Sequence, residues 1–293
     1  MEATGKGADA ALFLTRPGGR IGYAIDGSGP LVVCVPGMGD LRSVYRFLAP
    51  ALVEAGFRVA AMDLRGHGDS DATFASYDDV AAGGDILALV EHLGGPAVLV
   101  GNSMAAGAAT WAAAEAPSSV TGLVLVGPFV RNPPTSAVAM LGFRLALLRP
   151  WGRAVWKSYY GSQYPGRRPP DLAKHLAWID AALRLPGHWR SFVATTHTSH
   201  APVEARLSEV NAPVLVVMGE RDRDFPDPPS EARFVTERLG GETLLVPGAG
   251  HYPQAEFPEV VSPAIVSFAR RVTGGGATEP TSHRAADWPE PPV

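Results

Sequence analysis

Ser103 stands in the pentapeptide Gly101-Asn102-Ser103-Met104-Ala105. An apolar run that reads as a buried strand, Ala97 to Gly101, precedes it, and an alanine-rich stretch that reads as a helix, Met104 to Ala116, follows it. A serine between small residues at a strand-to-helix turn is placed to lift its hydroxyl above a sheet edge, beside a helix N-terminus that favours negative charge. A serine hydroxyl is a weak nucleophile until a base takes its proton and a third group orients that base. Both kinds of residue follow later apolar runs. Val214 to Met218 leads into Gly219-Glu220-Arg221-Asp222-Arg223-Asp224, and Thr243 to Val246 leads into Pro247-Gly248-Ala249-Gly250-His251-Tyr252. Serine, acid and histidine, each after a strand, have the chemistry of two-step acyl transfer.

The elements that must position these residues can be read from short Val, Leu and Ile runs bounded by Gly and Pro. Strands are predicted at Leu31 to Val35, Arg58 to Asp63, Ala97 to Gly101, Gly122 to Gly127, Val214 to Gly219 and Thr243 to Pro247, with a hairpin before them near Ala11 to Leu14 and Arg20 to Ile25. Helical patterns fall between them, at Leu41 to Ala55, Tyr77 to Leu93, Met104 to Ala116, Ser230 to Leu239 and Pro258 to Val272. This alternation predicts an α/β fold with a mostly parallel, eight-stranded sheet and helices on both faces. The rhythm breaks over 129–210, where strand-like runs vanish and aromatic residues collect among helical segments, so core segments 1–128 and 211–273 are expected to flank a helical insertion. Residues 274–293 are rich in Gly, Pro, Thr and Glu without periodicity, and read as a disordered tail.

The order Ser, Asp, His and the stretch Asp63-Leu64-Arg65-Gly66-His67-Gly68-Asp69-Ser70-Asp71 resemble the α/β-hydrolase superfamily from about Gly19 to Val272. The resemblance is to its serine hydrolases with a helical cap, of the carboxylesterase and lactonase kind. It implies Ser103 as nucleophile, His251 as general base and Asp222 as the orienting acid, with Asp224 two residues on as the lesser candidate, whose change to Asn is expected to do little. It implies an oxyanion hole from the backbone amides of Met38 and Met104, although Pro36-Gly37 stands where the family usually has His-Gly. It implies a small apolar ester or lactone as substrate and no cofactor. An aspartate nucleophile would suit the epoxide hydrolases and haloalkane dehalogenases, which Ser103 argues against. The elbow also resembles that of carbon-carbon bond hydrolases, which usually carry Trp where this chain has Tyr252, and Ser followed by Met resembles cofactor-free haloperoxidases and perhydrolases. A ligand-binding or synthase member of the fold is the alternative outside hydrolysis, and the intact triad speaks against it.

Other side chains have plainer readings. His67 is expected to brace its turn and His92 to be solvated, while His175, His188, His197 and His200 fall in the insertion. His197 and His200 could share a helix face, but no carboxylate partner occurs at matched spacing, so no metal site is expected. Trp and Tyr of the insertion should mostly pack it onto the core; Trp156, Tyr159, Trp178 and Trp189 are candidates to line a pocket.

A chain of 293 residues with 25 Lys+Arg against 29 Asp+Glu, net charge −4, has no basic field to neutralise phosphates, so no nucleic-acid partner is expected. The single cysteine, Cys34, lies inside a strand-like run, which excludes an internal disulfide framework and a cysteine metal cage and suits a reducing compartment. The first residues lack the charged and apolar regions of a signal peptide, and no apolar stretch is long enough to cross a bilayer. A cytoplasmic monomer or homodimer with no membrane partner is the expectation.

Overall fold

Apolar runs buried on both faces form most of the sheet of the computed structural model, which describes residues 11–133 and 137–274; the predicted tail lies, beyond Gly274, outside the described residues. In chain order the elements are β1 (Leu12–Arg16), β2 (Gly19–Asp26), β3 (Leu31–Val35), α1 (Leu48–Glu54), β4 (Arg58–Met62), α2 (Asp79–His92), β5 (Ala97–Asn102), α3 (Met104–Glu115), β6 (Val120–Val126), α4 (Ala137–Ala146), α5 (Gly152–Ser162), α6 (Leu172–Arg184), α7 (His188–Thr195), α8 (Ala201–Glu204), β7 (Val214–Gly219), α9 (Pro228–Leu239), β8 (Glu242–Val246), α10 (Pro253–Glu256) and α11 (Pro258–Val272). The strands form one sheet in the order β1-β2-β4-β3-β5-β6-β7-β8. Only β2 runs against the rest, pairing antiparallel with β1 and β4.

Residues two apart on a strand face the same side, and the two cores divide accordingly. Val33 and Val35 pack under α2 and α3, while Val32 and Cys34 pack under α1 and α11. Cys34 is fully buried, and that burial pushes its thiol pKa up, out of reactive range. Helix α3 is buried almost all round, which its alanines permit: they let it approach α2 so closely that a Cβ on Gly83 would lie 2.9 Å from the Ala108 carbonyl oxygen.

The helix predicted over Leu41 to Ala55 is in fact two pieces, a 3₁₀ turn at Arg42–Tyr45 and α1 from Leu48. Pro50 explains the break, since a continuous helix would need its missing N–H to bond the Arg46 carbonyl. In α1 it falls in the first turn, where no such bond is required. The Asp63 to Asp71 stretch folds back on itself after β4. Asp63 accepts from the Arg42 and Asp69 amides at 2.7 and 3.1 Å, the Arg42 guanidinium pairs with Asp63 and Asp69, and Arg65 forks onto Asp85 at 2.8 Å from both nitrogens. That motif supports the site without entering it.

Helices α4 to α8 occupy the interval between β6 and β7, and among the described residues no strand interrupts them. Their buried aromatics, Trp156, Tyr160, Trp189 and Phe192, join the core on the α1 and α11 side. Among the described residues no helix is long and apolar enough to cross a membrane.

Candidate active site

Ser103 is the only non-glycine residue with positive φ among the described residues, at φ 57° and ψ −125°. The strained turn between β5 and α3 is held at three points: the Ser103 amide donates to the Val126 carbonyl at 2.8 Å, and its carbonyl accepts from the amides of Ala106 at 3.0 Å and Phe129 at 3.3 Å. No side chain caps α3, and among the described residues the amides of Met104 and Ala105 donate no hydrogen bond. Asn102 ties this turn to the histidine loop, donating to the carbonyls of Val126 at 3.0 Å and His251 at 3.3 Å.

His251 and Asp222 reach the same place from the ends of β8 and β7. The imidazole Nδ1 lies 2.7 Å from Asp222 Oδ2, and both side chains are buried. Gly127, at the end of β6, lets them meet: a Cβ there would lie 3.0 Å from His251 Nδ1 and 3.1 Å from Asp222 Oδ2, and its φ of +52° suits glycine.

Asp224, the lesser candidate for the orienting acid, also reaches the imidazole. Its Oδ2 lies 3.5 Å from His251 Nε2, on the ring edge away from Asp222, and its Oδ1 accepts from Tyr159 Oη and Gln163 Nε2 of the inserted helices and their following turn. Burial pushes the imidazole pKa down, but the charges of Asp222 and Asp224 and the hydrogen bond to Asp222 outweigh it and raise the pKa to about 9. Donor atoms of Asp222, Asp224 and His251 all lie within 4.8 Å of one another. Both nitrogens of the single imidazole already face a carboxylate, an arrangement that holds a proton between acids. Among the described residues no hydrogen bond joins Ser103 Oγ to the imidazole, though both side chains line the same pocket.

Met38 and Met104 bracket Ser103. Among the described residues neither amide donates a hydrogen bond, which leaves two donors free beside the hydroxyl. The loop carrying Met38 passes so close that a Cβ on Gly37 would lie 2.8 Å from Ser103 Cβ. The inserted helices brace this loop. Trp156 Nε1 donates to the Gly39 carbonyl at 3.1 Å, and the next residue, Asp40, is fully buried among donors. Its carboxylate accepts from the Leu41 amide at 2.7 Å, from His175 Nε2 at 2.9 Å and from Tyr160 Oη at 2.9 Å. With His175 Nε2–H donating to Asp40, its Nδ1 accepts from Ser43 Oγ at 3.3 Å.

A pocket of about 310 Å³ lies over Ser103 and His251, walled by Met38, Phe129, Phe143, Trp156, Tyr159 and Tyr252. Of the four aromatic candidates, Trp156 and Tyr159 line it; Trp178 and Trp189 do not. Trp178 instead packs edge-on to His175 and beneath Lys174, and Trp189 packs on Phe192, 5.2 Å between centroids. Tyr252 stacks on Tyr160 at 4.6 Å and Tyr164 at 5.3 Å, joining the histidine loop to α5. His175 is core, not surface, and His200 is a second core tie, its Nδ1 2.7 Å from Asp79 Oδ2. His197 is exposed, so the two histidines do not share a face.

The alpha/beta hydrolase family profile matches residues 32–264, and the chain belongs to that family. It is similar to the 2-(acetamidomethylene)succinate hydrolase of Mesorhizobium japonicum, 29% identical over 252 residues that cover 83% of this chain and 88% of that one. It is similar to the pimeloyl-(acyl-carrier protein) methyl ester esterase of Neisseria meningitidis serogroup A, 29% identical over 274 residues, 88% of this chain and 81% of that one. Among solved structures, a hydrolase from Pseudomonas aeruginosa PA01 superposes with a TM-score of 0.75 at 26% identity, covering 88% of this chain and 97% of that one. The chain is a hydrolase.

Proposed function

We propose that the protein hydrolyses an ester or lactone of a small apolar compound through an acyl-enzyme on Ser103. The observation that carries this reading is the convergence of a strained Ser103, two free amides and the paired His251 and Asp222 in one largely apolar pocket. His251 Nε2 takes the Ser103 proton as Oγ bonds to the carbonyl carbon, and the amides of Met38 and Met104 receive the oxyanion. The imidazolium then returns the proton to the leaving oxygen as the carbon–oxygen bond breaks. Water repeats the sequence and frees the acid. Asp222 keeps Nε2 turned to the serine and stabilises the imidazolium. Hydrogen bonds of this kind are often loose before substrate binds and tighten with it, which accommodates the open Ser103 to His251 geometry.

The Neisseria relative, named as a methyl ester esterase, supports an ester, and the Mesorhizobium relative supports hydrolysis more broadly. Carbon–carbon bond cleavage gains no specific support, since Tyr252 is committed to its stack with Tyr160 and Tyr164. Treatment with a fluorophosphonate, followed by peptide mapping, tests the proposal. Stoichiometric labelling of Ser103 that disappears in His251→Ala is the expected result; a folded protein left unlabelled would favour a binding or synthase role.

A further inference from the structure

From Ala116 to Pro170 the chain has seven Lys or Arg and not one Asp or Glu, in a protein whose net charge is −4. The same interval holds the densest exposed apolar surface among the described residues. Helix α4 exposes Val138, Leu141 and Leu145, and Leu148 follows one turn on; their i, i+3, i+7, i+10 spacing sets them on one face, 81, 58, 52 and 50% exposed. Trp151, 51% exposed, bonds through its indole N–H to the Leu145 carbonyl and brings the start of α5 onto that face, with exposed Val155 a turn later. The opposite side of this segment is already used: Phe143 lines the pocket and Leu147 is core. The segment therefore carries apolar side chains on both its buried and its exposed side. Exposed Arg144 and Arg149 lie along this segment and exposed Lys157 lies further along α5, and among the described residues none of the three has an ion-pair partner.

We propose that the α4 and α5 face docks the protein on an anionic lipid surface, laying the leucines and Trp151 into the headgroup boundary with the cations on the phosphates. Exposed aliphatic side chains, an interfacial Trp and unpaired cations are what such a surface recognises. A second copy fits less well, because a symmetric contact would set Arg144, Arg149 and Lys157 of each protomer against their own kind with no acid on α4 or α5 to relieve them. Phe143 and Tyr159 belong both to these helices and to the pocket wall, so docking brings the pocket beside the layer into which apolar substrates partition. The sequence leads to an expectation of no membrane partner because no stretch is long enough to span a bilayer; surface docking needs no such span, only the local segregation of charge and apolar side chains along this segment.

Co-sedimentation of the full chain with phosphatidylcholine vesicles, with and without phosphatidylglycerol, tests this independently of any activity. Anionic vesicles should bind the protein, and less so as salt rises. Each cation at an anionic surface contributes about fivefold in partitioning, so the neutralising triple Arg144→Gln/Arg149→Gln/Lys157→Gln should lose about a hundredfold. The triple Leu141→Ser/Leu145→Ser/Leu148→Ser should abolish binding while leaving circular dichroism and Tm unchanged, since these side chains are exposed. Absence of binding to anionic vesicles, or binding indifferent to both variants, overturns the proposal. So does a dimer in light scattering that the leucine triple dissociates, which would assign the face to a second copy.

Discussion

Asp224 Oδ2 lies 3.5 Å from His251 Nε2, on the nitrogen that must receive the serine proton. The imidazole is thus flanked by carboxylates on both edges, and with its pKa raised to about 9 it is largely protonated at neutral pH. A protonated imidazole cannot act as base, so kcat/KM should climb with pH, pass half its maximum near pH 9 and level off about one unit above that. Asp224→Asn removes one of the two flanking charges, lowers the imidazole pKa and should shift that rising limb to lower pH by roughly one unit or more. A pH–rate profile of the two proteins decides it, and coincident limbs would remove Asp224 from the account.

Asp222 should behave differently because it bonds the other nitrogen. Asp222→Asn leaves the packing in place but presents Nδ1 with an amide, favouring the wrong tautomer, and by comparison with serine proteases kcat should drop by about 10⁴. The contrast between the two aspartates, a rate loss at 222 and a pH shift at 224, separates orientation from charge. Steady-state kinetics on any turned-over ester reads both.

Sequence alone exposes the parts of this site that are local. The βα turn at Ser103, the loops that end in Asp222 and His251, and the sheet that aligns them follow from apolar runs, Gly punctuation and residue order. The brace on the Met38 loop is invisible there because its partners are far apart in the chain: Asp40 meets His175 across 135 residues and Tyr160 across 120. His175 sits in an amphipathic helix like any other, and no spacing links it to Asp40. The surroundings of Asp224 are invisible in the sequence for a related reason. Its neighbour in sequence is Asp222, but its hydrogen-bond partners Tyr159 and Gln163 come from the insertion, whose packing has no strand periodicity to fix it. Trp178 and Trp189 show the same limit, since composition counts aromatics without saying which side of a helix faces the cleft.

Gly127 is a contact that a single methyl should break. Its φ of +52° already disfavours a side chain, and the added Cβ would press on His251 Nδ1 at 3.0 Å and on Asp222 Oδ2 at 3.1 Å. Gly127→Ala should cost about 1–2 kcal/mol of stability from the backbone. The larger effect should be on kcat, because the methyl wedges between acid and base while the pocket walls are untouched. Urea denaturation and kinetics on the same sample distinguish the two. A kcat equal to that of the unsubstituted protein would show that the pair relaxes around the methyl.

The Asp40 cluster carries the last prediction, because it ties the Met38 loop to the inserted helices. Asp40 directly follows the Met38-Gly39 turn, and its carboxylate is buried among the Leu41 amide, His175 and Tyr160. Removing one hydrogen-bond donor from a buried acceptor costs about 1–3 kcal/mol, so His175→Ala should lower the denaturation midpoint clearly. Stability alone would not separate a fold role from a site role. If the cluster positions the Met38 amide, kcat should fall by about tenfold to a hundredfold, short of the 10²–10³ that follows outright loss of an oxyanion donor, with KM nearly unchanged. His175→Gln, whose side-chain amide can still donate to Asp40, should recover most of both losses. Fluorophosphonate labelling adds an independent readout, since a misaligned amide slows capture of the tetrahedral phosphonate; equal labelling rates in His175→Ala and the parent would confine His175 to holding the fold.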